Sequence, residues 1–212
     1  MPSSAATPLS GRRAEAARND ERILEAARKV FIADPGAPIA AVAKEAGVGI
    51  SALYSRYGSK EELLRHLCAE GLQRFITEVE VALADDRDPW TAFAEFMGRA
   101  VEADTNSLTL ALAGTFTPTE DMFRDAERAN KLQVKLFKRT RAAGVLREDF
   151  DVHDMSMIFE QLAALRTGDR KRTLELRRRY LGLILDGMRT PSPTPLPGRA
   201  PTWQEINARW VT

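Results

Sequence analysis

A single cysteine, Cys68, and only two histidines, three tyrosines and three tryptophans stand among the 212 residues of this chain. One thiol cannot close an intrachain disulfide, so no disulfide framework supports the fold, and a reducing, cytoplasmic setting is expected. Neither His66 nor His153 belongs to a Glu-x-x-His pair or a Cys/His cluster, which leaves no recognisable metal site. No nucleophile or acid–base constellation stands out, so no enzymatic activity and no cofactor are expected. Apolar runs such as Leu108–Ala113 are far too short to span a bilayer, and the opening MPSSAATPLSGRR has no apolar stretch of the secretory kind. A strand-like alternation is missing throughout, as is any internal repeat.

What is present is helical patterning on a balanced, charged chain: 44% hydrophobic, 29% charged, net charge +1. The charge is unevenly spread. Residues 1–60 hold 9 Lys/Arg against 6 Asp/Glu, while the remainder is slightly acidic. Ile23, Leu24, Ala27, Val30 and Phe31 fall at helical spacing within about Ala14–Ala33, and DPGAP then stops that helix. Short helices follow over Ile39–Ala46 and Ile50–Tyr57, closed by Gly47 and Gly58. Ser59 caps a long helix, with Glu62 placed for a capping box. The next helices start at Asp88-Pro89, span about Ser107–Phe116, and run from Thr117-Pro118 to about Ala143. Two more cover Val152–Arg166 and Arg170–Met188, and a proline-rich tail leads to one amphipathic turn or two, with Trp203, Ile206 and Trp210 on one side.

The expected architecture is all-α with about nine helices. Residues 1–13 form a disordered arm, 14–58 a three-helix helix-turn-helix domain, 59–189 a larger helical bundle and 190–212 the tail. Leu181–Met188 is apolar on nearly every side, and a helix of that kind must be covered on every side. Met155, Ile158 and Leu162 on one helix, with Tyr180, Leu181, Ile184, Leu185 and Met188 on the next, are the residues expected to build a homodimer interface of four helices. Arg177–Arg179 reads as a solvated helix face.

The informative segment is Ile39–Leu63. Two helices that cross closely need a small residue at the crossing, and Ala43 and Ala46 supply it. The turn needs positive φ, which Gly47 adopts without a Cβ penalty. Val48 seals the turn and Leu53 anchors the second helix.

From Arg18 to Leu64 the chain resembles the DNA-binding domain of TetR-family regulators: ERILEAARKVF is similar to the first helix, and AVAKEAGVGISALYSRYGSKEELL to the helix-turn-helix and the start of the fourth. GVLREDFDVHD resembles the family's approach to its last two helices. The resemblance implies that Gly49, Ile50, Ser51, Ala52 and Ser55 belong to a helix that enters the major groove. It implies phosphate contacts from Tyr54, Arg56 and Lys60, and from backbone N–H groups near Ile39–Ala41, with Arg12, Arg13 and Arg18 reaching the duplex from the arm. Ile50 and Ala52 stand where polar side chains are frequent in the family, Arg56 where histidine is, and Pro38 where a Ser or Thr cap is. Base reading here would therefore lean on thymine methyls and phosphate positioning.

The resemblance further implies an apolar effector pocket, for which Trp90, Phe93, Phe96, Met97, Met122, Phe123, Met155 and Phe159 are the candidates. The function it implies is a repressor that binds a palindromic operator in double-stranded DNA as a dimer, released by a small-molecule effector, with no membrane partner. The alternative is a helical interaction or ligand-carrier protein whose DNA-binding surface has degenerated.

Overall fold

The computed structural model describes residues 11–191 and 194–210, apart from the side chains of residues 11–17, 105 and 209. It divides into two compact units, 1–63 and 64–212. All regular structure among the described residues is helical, and the one bridge is isolated, between Leu146 and Arg189. No described helix is long and apolar enough to cross a membrane.

The first unit contains α1 (Gly11–Ala33), α2 (Ile39–Ala46) and α3 (Ile50–Tyr57). Helix α1 opens three residues before the expected boundary, so residues 11–13 are helical rather than part of a disordered arm; residues 1–10 lie outside the described residues. The apolar stripe of α1 is its buried face: Ile23, Leu24, Ala27 and Phe31 are buried, as are Val42 and Leu53 on the next two helices. Helix α1 packs on α2, and α2 on α3.

The second unit takes most of α4 (Lys60–Ala84), then α5 (Pro89–Ala103), α6 (Thr105–Leu112), α7 (Glu120–Ala142), α8 (Asp154–Ala164), α9 (Arg170–Met188), α10 (Trp203–Asn207) and a 3-10 turn, Ala208–Trp210. Among the described residues ten α-helices therefore stand where about nine were expected. Helix α5 is central, packing against α6, α7, α8 and α9. Its face of Phe93, Phe96, Met97, Ala100 and Val101 is joined in one core by Leu136, Met155, Phe159, Leu162, Leu181 and Met188. Phe75, Phe96 and Phe159 meet edge to face, with ring centroids 5.6–6.1 Å apart.

The caps explain where these helices start and stop. Asp88 accepts from the Thr91 N–H at 2.9 Å with Pro89 at the first helical position. Arg139 donates to the carbonyls of Ala82, Leu83 and Asp85 at 2.7–3.1 Å, so a cation from α7 closes the C-terminus of α4. Helix α7 begins later than Thr117-Pro118, because Thr119 is the residue whose hydroxyl accepts from the Met122 N–H. Helix α6 correspondingly ends at Leu112, followed by Gly114 at φ 74°.

Arg177 corrects the solvated-face expectation for Arg177–Arg179. It is buried, and its guanidinium donates to Asp104, Ser107 and the carbonyls of Ala163 and Leu165 at 2.5–3.2 Å. One side chain from α9 thus ties the α5–α6 junction to the end of α8. Arg178 does lie on the surface, paired with Glu102.

Candidate functional site

The elbow between α2 and α3 is built from backbone bonds that only a left-handed residue permits. Gly47 sits at φ 66°, ψ 37°. Its N–H donates to Lys44 O at 3.3 Å, and the Val48 N–H to Ala43 O at 3.0 Å, which are the two bonds of a Schellman turn. Arg22 of α1 adds a third element, donating from Nη2 to Ala46 O at 2.6 Å. A Cβ on Gly47 would lie 3.1 Å from that Nη2. Gly47→Ala should therefore lower the stability of the first unit by about 1–2 kcal/mol through the left-handed penalty alone; urea denaturation followed by circular dichroism measures it.

Beyond the elbow, α3 buries only Leu53. Gly49, Ile50, Ser51, Ala52, Tyr54, Ser55 and Arg56 are all exposed, and Ile50 (43%) and Tyr54 (47%) are large side chains for such exposure. Two of the candidate cations are engaged within the unit, with partners too distant in the chain for local pattern to reveal. Arg56 forms a two-pronged bond to Asp20 of α1, at 2.9 and 2.6 Å, and the carboxylate raises the guanidinium pKa above its ordinary value through hydrogen bonding and charge. Lys60 donates to Pro35 O and Gly36 O, both at 3.2 Å, and stands 5.2 Å over the Phe31 ring. An ammonium has three donors, so one N–H of Lys60 is left for another acceptor. Helix α2 starts without a side-chain cap, and the Ala41 N–H is taken by Pro38 O, leaving Ile39 and Ala40 as the backbone donors of that end. Arg18 is exposed, whereas the side chains of Arg12 and Arg13 lie outside those described.

The second unit holds a cavity of about 200 Å³ between α4, α6, α7, α8 and the tail. Of the eight pocket candidates, Met122, Phe123 and Phe159 line it. Phe93, Phe96, Met97 and Met155 do not; they are fully buried in the core around α5. Trp90 lies elsewhere, with the Arg189 guanidinium 5.0 Å over its ring. Helical periodicity marks a side chain as inward-facing, and the core takes most of what faces inward. The polar part of the lining is Asn106, Thr109, Asn130, Gln133, Ser156, Glu160 and Asn207. Gln133 is buried and donates to Val152 O at 3.1 Å. Cys68 also lines the cavity, and burial pushes its thiol up to about 12.

The dimer candidates divide in the same way. Met155, Leu162, Leu181 and Met188 are buried in the chain's own core, so they offer no surface to a second copy. Ile158, Ile184 and Leu185 are partly buried against that core. Tyr180 is exposed, and Leu183, which the apolar pattern did not single out, is 59% exposed one helical turn beyond it. Adjacent on the helix surface, Tyr180 and Leu183 form an uncovered apolar stripe on α9.

Residues 23–67 match the family described as "Bacterial regulatory proteins, tetR family". A comparison with curated proteins finds no match. Among solved structures, the TetR transcriptional regulator SCO0520 from Streptomyces coelicolor is similar at 26% identity over 81% of this chain and 99% of its own, with a TM-score of 0.55. A TetR transcription regulatory protein from Mycobacterium vanbaalenii shares 27% identity over 84% of this chain and 99% of its own, with a TM-score of 0.56. The TetR-like regulator LfrR from Mycobacterium smegmatis, solved in complex with proflavine, is similar in fold at 17% identity, covering 78% of this chain and 95% of its own, with a TM-score of 0.55. With its Schellman-closed elbow and exposed α3, the N-terminal unit carries a helix-turn-helix of the TetR family's kind, and the chain as a whole is similar to solved TetR-family transcription regulators.

Proposed function

We propose that this protein is a repressor that binds a palindromic operator as a homodimer, one α3 per half-site, and is released when a small molecule occupies the cavity of the second unit. The observation that carries the DNA-binding part is α3 itself: an eight-residue helix with only Leu53 buried, held out behind a turn that Gly47 alone can make. Ile50 and Ala52 are suited to thymine methyls, while Tyr54, Ser55 and Arg56 supply hydroxyls and a cation for phosphates. Two such helices about one DNA turn apart define the operator's symmetry. The effector part is supported by the cavity, whose apolar walls and few polar groups suit a small organic ligand. The proflavine complex of LfrR places a small aromatic molecule in a relative of the same fold.

The Asp20–Arg56 pair makes this testable. Asp20 competes with a phosphate for Arg56, whose guanidinium gives Asp20 two of its five N–H donors. Fragments are first selected from a random DNA pool, then titrated by mobility shift at several salt concentrations. Arg56→Ala should reduce the slope of log affinity against log salt by about 1, and Asp20→Ala, which frees the guanidinium, should strengthen binding several-fold. If no fragment is enriched and both variants match the parent, the DNA-binding proposal fails.

A further inference from the structure

Glutamine is seldom buried, because its amide carries both donors and an acceptor that need partners once water is excluded. Among the described residues the buried polar side chains are Ser107, Gln133, Thr140, Arg147 and Arg177, and of these only Gln133 borders the cavity of about 200 Å³ in the second unit. The others find their partners within the protein. Thr140 bonds back to Leu136 O in its own helix at 3.0 Å, while Ser107, Arg147 and Arg177 are tied to carboxylates and carbonyls.

Gln133 is satisfied on one side only. Its Nε2 donates to Val152 O at 3.1 Å, just before α8, and lies 4.0 Å from the Met155 sulfur. That bond fixes which way the amide faces, since turning it over would set two carbonyl oxygens against each other. Oε1 therefore points away from Val152. It meets no donor among the described residues, yet it is not sealed in as the unpartnered nitrogens of Arg139, Arg141 and His153 are. Gln133 is only 6% exposed and lines the cavity, so the cavity is the space on which Oε1 opens. The neighbouring walls are largely apolar, with Phe75, Met122, Ala129 and Phe159 among them. A carbonyl held rigidly in such surroundings favours a molecule that brings a donor to it.

We propose that Gln133 selects the molecule that occupies this cavity: its Oε1 accepts a hydrogen bond from an O–H or N–H group on an otherwise apolar ligand, and a molecule of the same shape without that donor is rejected. This rests on the effector-cavity proposal above and deepens it by naming the group that is read. In the free protein, solvent entering the cavity supplies the donor for Oε1. A ligand that fills the space displaces that solvent, and it must replace the bond or leave a buried acceptor bare. A site built to bond a hydroxyl or N–H discriminates against the analogue lacking it far more strongly than apolar walls discriminate by size. Asn130, one turn earlier on α7, and Ser156 on α8 place further amide and hydroxyl groups on the same side of the cavity.

Indole and indene are suitable probes, being bicycles of nearly the same size and shape that differ by an N–H against a CH₂. Binding of each to the full-length protein is measured by titration calorimetry, with circular dichroism confirming the fold of every variant. The parent should bind indole at least tenfold more tightly than indene. Gln133→Leu should lose that preference, binding indole at least tenfold more weakly and indene as before or better. Gln133→Glu keeps an acceptor oxygen at the same place and should retain the preference. Damage to packing alone would weaken both molecules alike, so the ratio separates selection from a structural role. Equal affinities in the parent, or a Gln133→Leu protein that still prefers indole tenfold, would overturn the proposal. If neither molecule binds the parent, the cavity is no ligand site and both proposals fall. A tenfold preference for indole in a complex that still holds operator DNA supports the role of Gln133 and counts against effector release instead, so the two failures are distinguishable.

Discussion

Leu183→Glu should convert the proposed homodimer into monomers and lower affinity for the proposed operator by about 100-fold, the scale of what joining two half-site contacts contributes. Leu183 is the most exposed large apolar side chain on α9, and Tyr180 lies beside it on the same stripe. In a two-fold interface the same patch meets itself, so one substitution places two carboxylates close to the axis. Burying a carboxylate without a partner is costly, and two like charges in one apolar seam are costlier. Light scattering should then give the mass of one 23.6 kDa chain rather than two. Met188→Ala, by contrast, removes a core side chain and should lower stability without splitting the dimer, because Met188 has no surface to share. A dimer that survives Leu183→Glu would place the interface elsewhere.

Arg177→Leu should destabilise the second unit by about 3 kcal/mol, a fall on the order of 10 °C in Tm. The leucine fills much of the volume but leaves the Leu165 carbonyl without its Arg177 donor and the Ala163 carbonyl with only the Ser107 hydroxyl, at 3.4 Å. Asp104 softens the loss, since its side chain is 41% exposed and water can take over part of its charge. Asp104 also occupies the left-handed region at φ 50°, which asparagine tolerates and alanine does not. Asp104→Asn should therefore unfold at a higher temperature than Asp104→Ala. Calorimetry on the three variants measures both effects, and an Arg177→Leu protein as stable as the parent would mean that the network contributes nothing net.

These two sites show which features a sequence discloses and which it hides. The bounds of α2, α3 and α9 coincide with the apolar and glycine pattern because Pro38, Gly47, Gly58, Asp169 and Gly168 act on their immediate neighbours. Nothing local separates Arg177 from Arg178 and Arg179: the partner that buries it, Asp104, lies 73 residues away. Asp20 and Arg56 are 36 residues apart and meet only once α1 is folded beside the helix-turn-helix. The cavity was the least legible part. Periodicity placed Phe93, Phe96, Met97 and Phe159 inside alike, yet only packing decides which inward side chain borders empty space, and of these it was Phe159. Trp203, Ile206 and Trp210 read as one face from their spacing, but what that face covers depends on the bond from Arg147, far back in the chain, to Thr194 O.

Lys60 carries a consequence for how this molecule responds. It is the first residue of α4 and, through Pro35 and Gly36, the keystone of the loop that leads into α2. Losing that one ammonium releases two carbonyls at once, so a single substitution at Lys60 loosens the entry to α2.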